Sequence, residues 1–291
     1  MIPKEVLQKV RQIEIRTRRI VDSVISGGYE SAFKGRGMEF DEVRAYTDGD
    51  DIRSIDWNVT ARMGSPYIKK YVEERELTVM LVVDASSSGD FGSIDKFKGE
   101  MAVELCSLLA FSAIRNNDRV GLIIFTSDIE VYIPPRKGKN HVLRVIRELL
   151  FFQPKHKGTD IGCALKFLNR VLTKKSVVFL VSDFMSKNFE KPLRVASKRH
   201  DLITVSITDP REDVLPRVGL IELEDAETGE TILFDTRNRR AVDIYRKERM
   251  KQRSQFEELL HSAAVDDIRI STKTGYVKPL VKFFQKRELR A

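Results

Sequence analysis

The chain changes rhythm at Leu77. From there on, short runs of consecutive apolar residues alternate with stretches whose apolar positions recur every three or four residues. "LTVMLVVD", "RVGLIIFT", "SVVFLVSD" and "DLITVSIT" each have the length and composition of a strand buried on both faces. Asp95 to Arg115, "NHVLRVIRELLFF", "DIGCALKFLNRVL" and the segment Phe189–His200 have the helical period, and "IEVYI" reads as a short strand after the second run. Such alternation predicts an α/β fold with a doubly wound, mostly parallel sheet covered by helices on both faces. One insertion interrupts it: "GLIELEDAETGETILFD" has two alternating runs joined by "AETG", the pattern of a β-hairpin at about 215–236. A long helix from about Asn238 to Ala263, a last strand "DIRIS" and a terminal helix from Tyr276 follow.

Before Leu77 the pattern differs. Val6, Val10, Ile13, Ile20 and Val24 predict one amphipathic helix over 4–26, stopped by Gly27 and Gly28. Residues 29–76 are rich in Gly, Asp and Arg, and "EFDEVRAY" and "PYIKKYV" read as strands of a small β-rich layer with a turn at "TDGDD". The expected organisation is therefore a family-specific N-terminal segment over 1–76 and a main domain over 77–291 that carries the hairpin. No internal repeat is visible.

Composition narrows the class. With 291 residues, 42% hydrophobic and 32% charged, the chain belongs with folded globular proteins rather than disordered ones. Its two cysteines, Cys106 and Cys163, lie in helical patterns beside apolar residues and read as buried free thiols, and the four histidines have no zinc spacing. The charged N-terminus lacks the apolar core of a signal peptide, and no apolar run is long enough to span a bilayer, so the expected compartment is the cytoplasm. The formal charge of +8 is uneven: residues 1–83 carry 14 basic and 14 acidic groups, 84–236 carry 22 of each, and 237–291 carry 15 against 7. A basic terminal segment can bind nucleic acid or anionic lipid, but without interleaved aromatics it reads better as a solvated helix face.

Chemistry concentrates where strands end. Asp84, Ser86 and Ser88 follow the first buried run directly, Thr159 and Asp160 stand at a helix start, and Asp183 ends "VVFLVSD". Singly, each is an ordinary turn or cap residue. Together they place short oxygen-bearing side chains at the carboxyl ends of a parallel sheet, where functional loops gather. Oxygen donors of this kind suit a hard divalent cation. In this order, the set resembles the metal-ion-dependent adhesion site of the von Willebrand factor A fold. That resemblance implies metal roles for Asp84, Ser86, Ser88, Thr159 and Asp183, with Mg2+ (or Mn2+ or Ca2+) as the ion and Asp160 as a helix cap. "FKGRGMEFDEVRAYTDGDDIRSIDWNVTARMGSPYIKKYVEERE" is similar to the leader of a bacterial domain-of-unknown-function family, number fifty-eight, and the hairpin followed by "FDT" fits it too. Relatives often have Met where Gly89 stands here. Members are commonly encoded beside MoxR-type AAA+ ATPases.

Within that leader, Arg36, Arg44, Arg53 and Arg62 are mixed with Asp41, Asp50, Asp51 and Asp56 around the sole tryptophan. The mixture reads as Arg–carboxylate pairing that holds an irregular β layer, with Trp57 as its anchor. No phosphate-binding glycine loop and no nucleophile elbow occurs, and His156 reads as an exposed loop residue. No catalytic residue is expected. The leading expectation is a non-enzymatic adaptor whose metal captures an acidic side chain of a partner, which the family resemblance makes a MoxR-type AAA+ ATPase or its client. The alternatives are a magnesium-dependent hydrolase or phosphatase using Asp84 and Asp183, and a nucleic-acid-binding protein using the basic C-terminal segment.

Overall fold

A computed structural model describes residues 11–15, 17, 20, 29, 32–33, 38–73, 76–86, 97–156, 158–213, 215–216, 218–224 and 230–290. It divides the chain into two units, Met1–Ala32 together with Leu77–Ala291, and Phe33–Glu76.

In the smaller unit, β1 (Met38–Ala45) pairs antiparallel with β2 (Tyr67–Glu73), from Met38 opposite Glu73 to Ala45 opposite Tyr67, with a register shift between Phe40 and Glu42. The connection holds a single 3-10 turn, Ile52–Ser54, and the helix α1, Trp57–Met63. Acidic side chains start both: Asp51 accepts from the Arg53 amide, and Asp56 accepts from the amides of Asn58 and Val59. These are caps, which satisfy amides the first turn leaves unpaired. Arg44 grips Asp50 through both guanidinium arms at 2.7 and 2.9 Å. The expected pairing is thus present at Arg44, but the expected anchor is not: Trp57 is 67% exposed, whereas Ile68 of β2 is buried.

The larger unit runs β3 (Thr78–Asp84), α2 (Lys98–Arg115), β4 (Arg119–Phe125), β5 (Ile129–Arg136), α3 (Lys139–Phe151), α4 (Ile161–Val171), β6 (Val177–Ser182), α5 (Glu190–Arg199), β7 (Asp201–Thr208), α6 (Pro210–Asp213), β8 (Leu220–Glu224), β9 (Thr231–Asp235), α7 (Arg239–Ser262), β10 (Asp266–Ser271) and α8 (Val277–Glu288). Six strands form one sheet in the order β10-β7-β6-β3-β4-β5. All neighbours are parallel except β4 and β5. The expected mostly parallel α/β architecture is what the chain adopts, and β8 and β9 form the expected antiparallel hairpin.

The central strands β3, β4 and β6 are almost wholly apolar because both of their faces are covered. On one face Met80, Val82, Ile123, Phe125, Val178 and Leu180 meet α4, α5 and the end of α7 through residues such as Leu165, Leu193 and Leu260. On the other, α2 packs against β3, β4 and β7 and against α3, burying Leu105, Leu108 and Leu109 completely. Each such leucine contributes roughly 1.5–3 kcal/mol of transfer free energy. Cys106 is buried in α2, whereas Cys163 is only half-buried, so the expected burial of both thiols holds for Cys106 alone. Residues 11–15, 17 and 20 of the expected N-terminal helix are helical, and the rest of that span lies outside the described residues. Tyr29 is fixed by its hydroxyl, which donates to Asp118 at 3.0 Å, and by an edge contact with Phe284. Among the described residues, no helix is long and apolar enough to cross a membrane.

Candidate metal centre

The sheet order places the site. The chain leaves β3 for β4 on one side, then returns after β5 to lay β6 on the other side of β3. Loops leaving the carboxyl ends of β3 and β6 therefore diverge, which opens a crevice at the sheet edge. Asp84 is the last residue of β3 and Asp183 the first after β6.

Asp84 is held by three donors. Its Oδ1 accepts from the Ser86 amide at 3.0 Å, its Oδ2 accepts from the Ser182 hydroxyl at 2.6 Å, and the Ser86 hydroxyl also bonds it. Ser182 accepts in turn from the Phe184 amide at 3.0 Å, so it cannot turn away without breaking a backbone contact. Burial first, and the Asp183 charge second, push the Asp84 carboxyl up to about 6, while the hydrogen bonds from Ser182 and Ser86 oppose the rise. Two carboxylates here share a site with less compensation than they need.

Asp183 faces a cation. The Lys98 ammonium donates to Asp183 Oδ2 at 2.9 Å and to Glu212 Oε1 at 2.6 Å. Burial alone depresses the Lys98 pKa, but the charges of Asp183 and Glu212 outweigh it and the net shift is upward. Glu212 sits on α6, just past β7, with its Oε2 accepting from the Asp209 amide at 3.0 Å and its carbonyl accepting from the Tyr245 hydroxyl at 2.8 Å. Acids thus stand at or just past the ends of adjacent strands β3, β6 and β7, and the four side chains Asp84, Asp183, Glu212 and Lys98 carry a formal charge of −2 between them. Asp84, Lys98, Gly99, Ala102, Ser182, Asp183 and Ile207 line a recess of about 30 Å³, roomy enough for one water molecule or one ion.

Of the residues singled out in the sequence, Asp84, Ser86 and Asp183 meet at this crevice. Thr159 precedes the α4 cap; its carbonyl accepts from Ser186 at 3.1 Å, which ties its loop to the one after Asp183. Its hydroxyl makes no hydrogen bond among the described residues. Asp160 is the cap of α4, accepting from the Cys163 amide at 2.8 Å. Ser88 lies outside the described residues. His156 is in an exposed loop, its ring nitrogen 3.1 Å from Glu130. Among the described residues, no three His, Cys, Asp or Glu side chains converge as a metal cluster. Among the described residues, Asp84 and Asp183 are the carboxylate pair at the crevice, Ser86 and Ser182 bring hydroxyls, and Glu212 is joined to the pair through Lys98.

Lys98, Ser182 and Glu212 went unread in the sequence. Lys98 stands one helical turn before Ala102 on the stripe that continues through Leu105 and Leu109, all buried. A lysine on an apolar stripe signals a buried charge pair. Glu212 lies four residues past the buried run "DLITVSIT", and Asp209 is the acid that follows that run directly.

The doubly wound, mostly parallel sheet is a von Willebrand factor A-like fold. The chain belongs to the DUF58 family, described as "Protein of unknown function DUF58", whose profile matches residues 42–255. A relative from Mycobacterium tuberculosis, "Uncharacterized protein Rv1480", is 32% identical over 223 residues, covering 76% of this chain and 70% of its own. Among solved structures, the conserved hypothetical protein BatB from Bacteroides thetaiotaomicron superposes with a TM-score of 0.51 at 17% identity, over 74% of this chain and 100% of that one. The SpRpn10 VWA domain gives a TM-score of 0.40 at 13% identity, over 72% of this chain and 94% of that one.

Proposed function

We propose that the chain is a non-enzymatic protein-binding module that uses a divalent cation, Mg2+ in the first instance, to capture an acidic side chain of a partner. The observation that carries this is the meeting of Asp84 and Asp183 at the switch point, in a recess where, among the described residues, Asp84, Asp183 and Glu212 outnumber the Lys98 ammonium. The donor set fits a hard ion: carboxylate and hydroxyl oxygens only, a formal charge of −2, and an Asp84 carboxyl whose surroundings disfavour its ionised form. Asp84, Ser86, Thr159 and Asp183 would hold the ion, joined by Ser88. When bound, the metal supplies a Lewis-acidic position that accepts an outside carboxylate. The protein's own groups orient the donors: Ser182 fixes Asp84, Lys98 fixes Asp183, and Ser186 fixes the Thr159 loop.

The partner we propose is a MoxR-type AAA+ ATPase or a client that it remodels, in the cytoplasm. Affinity capture with the immobilised full chain, in Mg2+ and again in chelator, tests this. Retention of the ATPase in Mg2+ but not in chelator, and not by the Asp84→Ala variant, supports the reading. Equal retention by parent and variant in saturating Mg2+ sinks it. Metal-dependent hydrolysis of phosphate esters would move the assignment to catalysis.

A further inference from the structure

Lys98 is placed where a cation is disfavoured twice. It is the first residue of α2, behind Phe97, which gives no side-chain cap, so it stands at the positive end of the helix dipole. It is also only 4% exposed, and burial disfavours an ammonium. Two carboxylates from neighbouring strand ends, Asp183 at 2.9 Å and Glu212 at 2.6 Å, offset both costs. Ordinary helix packing calls for an apolar residue at this stripe position. We propose that Lys98 is a resident counter-cation: it balances Asp183 and Glu212 in the metal-free protein, and its repulsion of an incoming divalent ion sets how tightly the site holds metal. Lys98 and Glu212 are then positioning residues of opposite effect. The inference rests on the metal-binding reading above.

The consequence is a site whose acids stay assembled without metal and which exchanges its ion readily. Removing the ammonium takes the formal charge of Asp84, Lys98, Asp183 and Glu212 from −2 to −3, whereas neutralising Glu212 takes it to −1. Metal affinity must therefore move in opposite directions. Calorimetric titration of Mg2+ and Mn2+ into the full chain, its Lys98→Met variant and its Glu212→Gln variant tests this, with thermal unfolding in Mg2+ and in chelator alongside. We expect Lys98→Met to bind metal about tenfold tighter or more, and Glu212→Gln about tenfold weaker. Lys98→Met should melt lower than the parent in chelator, because Asp183 and Glu212 lose the ammonium between them, and should gain more from Mg2+ than the parent does. A purely structural lysine would lower both melting temperatures equally.

If the parent binds metal and both variants bind as it does, or both bind more weakly, the counter-cation role is overturned while metal binding stands. Absence of binding by all three overturns both readings. Binding by Lys98→Met alone supports the inference. Should Lys98→Met fail to fold, Glu212→Gln decides: weaker binding upholds it and unchanged or tighter binding rejects it.

Discussion

Burial and the Asp183 charge raise the Asp84 carboxyl from 3.8 to about 6. In the metal-free protein at neutral pH that charge costs on the order of 1–3 kcal/mol of stability. Asparagine removes the charge, keeps one acceptor, and can donate to the Ser182 oxygen. Asp84→Asn should therefore unfold at higher denaturant than the parent in chelator, yet gain nothing from Mg2+. A variant less stable than the parent in chelator would show that the carboxylate is a structural acceptor first. His200 poses the opposite case. It is 3% exposed, neither ring nitrogen has a hydrogen-bond partner among the described residues, and burial, then Arg199, lower its pKa from 6.5. Its place at the C-terminal end of α5 favours the charged ring, but burial wins. The unfolded chain then takes up a proton that the folded one resists, so stability is fully present above pH 6.5 and is lost as pH falls below it. Denaturant titrations at pH 7.5 and 5.5, conditions spanning about two units around that ordinary value, should show a smaller difference for His200→Leu than for the parent. Equal differences would remove His200 from the acid response.

At the scale of elements, Gly121 of β4 leaves the space that the Met80 side chain of β3 and the neighbouring part of β5 occupy. A Cβ there would lie 2.8 Å from the Met80 methyl, 3.0 Å from Pro135 Cγ and 3.1 Å from the Ile133 carbonyl. Met80 is fully buried and cannot swing outward, so Gly121→Ala should cost about 1–3 kcal/mol in denaturant titration, and a loss below about 0.5 kcal/mol would mean that the sheet yields there. The strands were legible because a strand covered on both faces needs no polar position: "VVFLVS" is buried at every residue. The hairpin and the ends of α7 were legible from local chemistry, since Asn238 caps α7 at Ala241 just where its helical period starts. What escaped was short or tertiary. α1 has seven residues, too few for a period to show, and its Trp57 faces water although tryptophan is a good anchor elsewhere. Asp84 and Asp183 could be placed from strand ends alone. Lys98 and Glu212 could not be paired, because 114 residues separate them and only the order of β3, β6 and β7 brings them together.

Across the whole molecule, the basic excess over 237–291 has two parts with different physics. Arg287 points inward: it pairs bidentately with Asp201 at 2.6 and 2.7 Å, reaches Asp266 at 2.9 Å, and lies over the Phe283 ring. Burial tends to lower its pKa, and Asp201 and Asp266 more than reverse this. It fastens α8 to the ends of β7 and β10, so Arg287→Met should cost about 1–3 kcal/mol, reduced from the fully buried case because the two acids keep some solvent. Arg239, Arg240 and Arg246 on α7 are exposed. Exposed charges contribute about 0–1 kcal/mol each to folding, so reversing all three to glutamate should leave the denaturation midpoint nearly unchanged. The same triple variant separates the two surfaces that remain in contention for a partner. If capture runs through Asp84 and Asp183, the variant should retain Mg2+-dependent binding at the parent's level, and salt should weaken both alike. A nucleic acid held by the α7 face would instead give retention that survives chelation, falls steeply with salt, and is abolished by the reversal. Retention measured in Mg2+ and in chelator across a salt series, with parent and variant side by side, therefore reads out which face binds. Loss of capture in the variant with Mg2+ saturating would transfer the recognition surface from the sheet edge to α7.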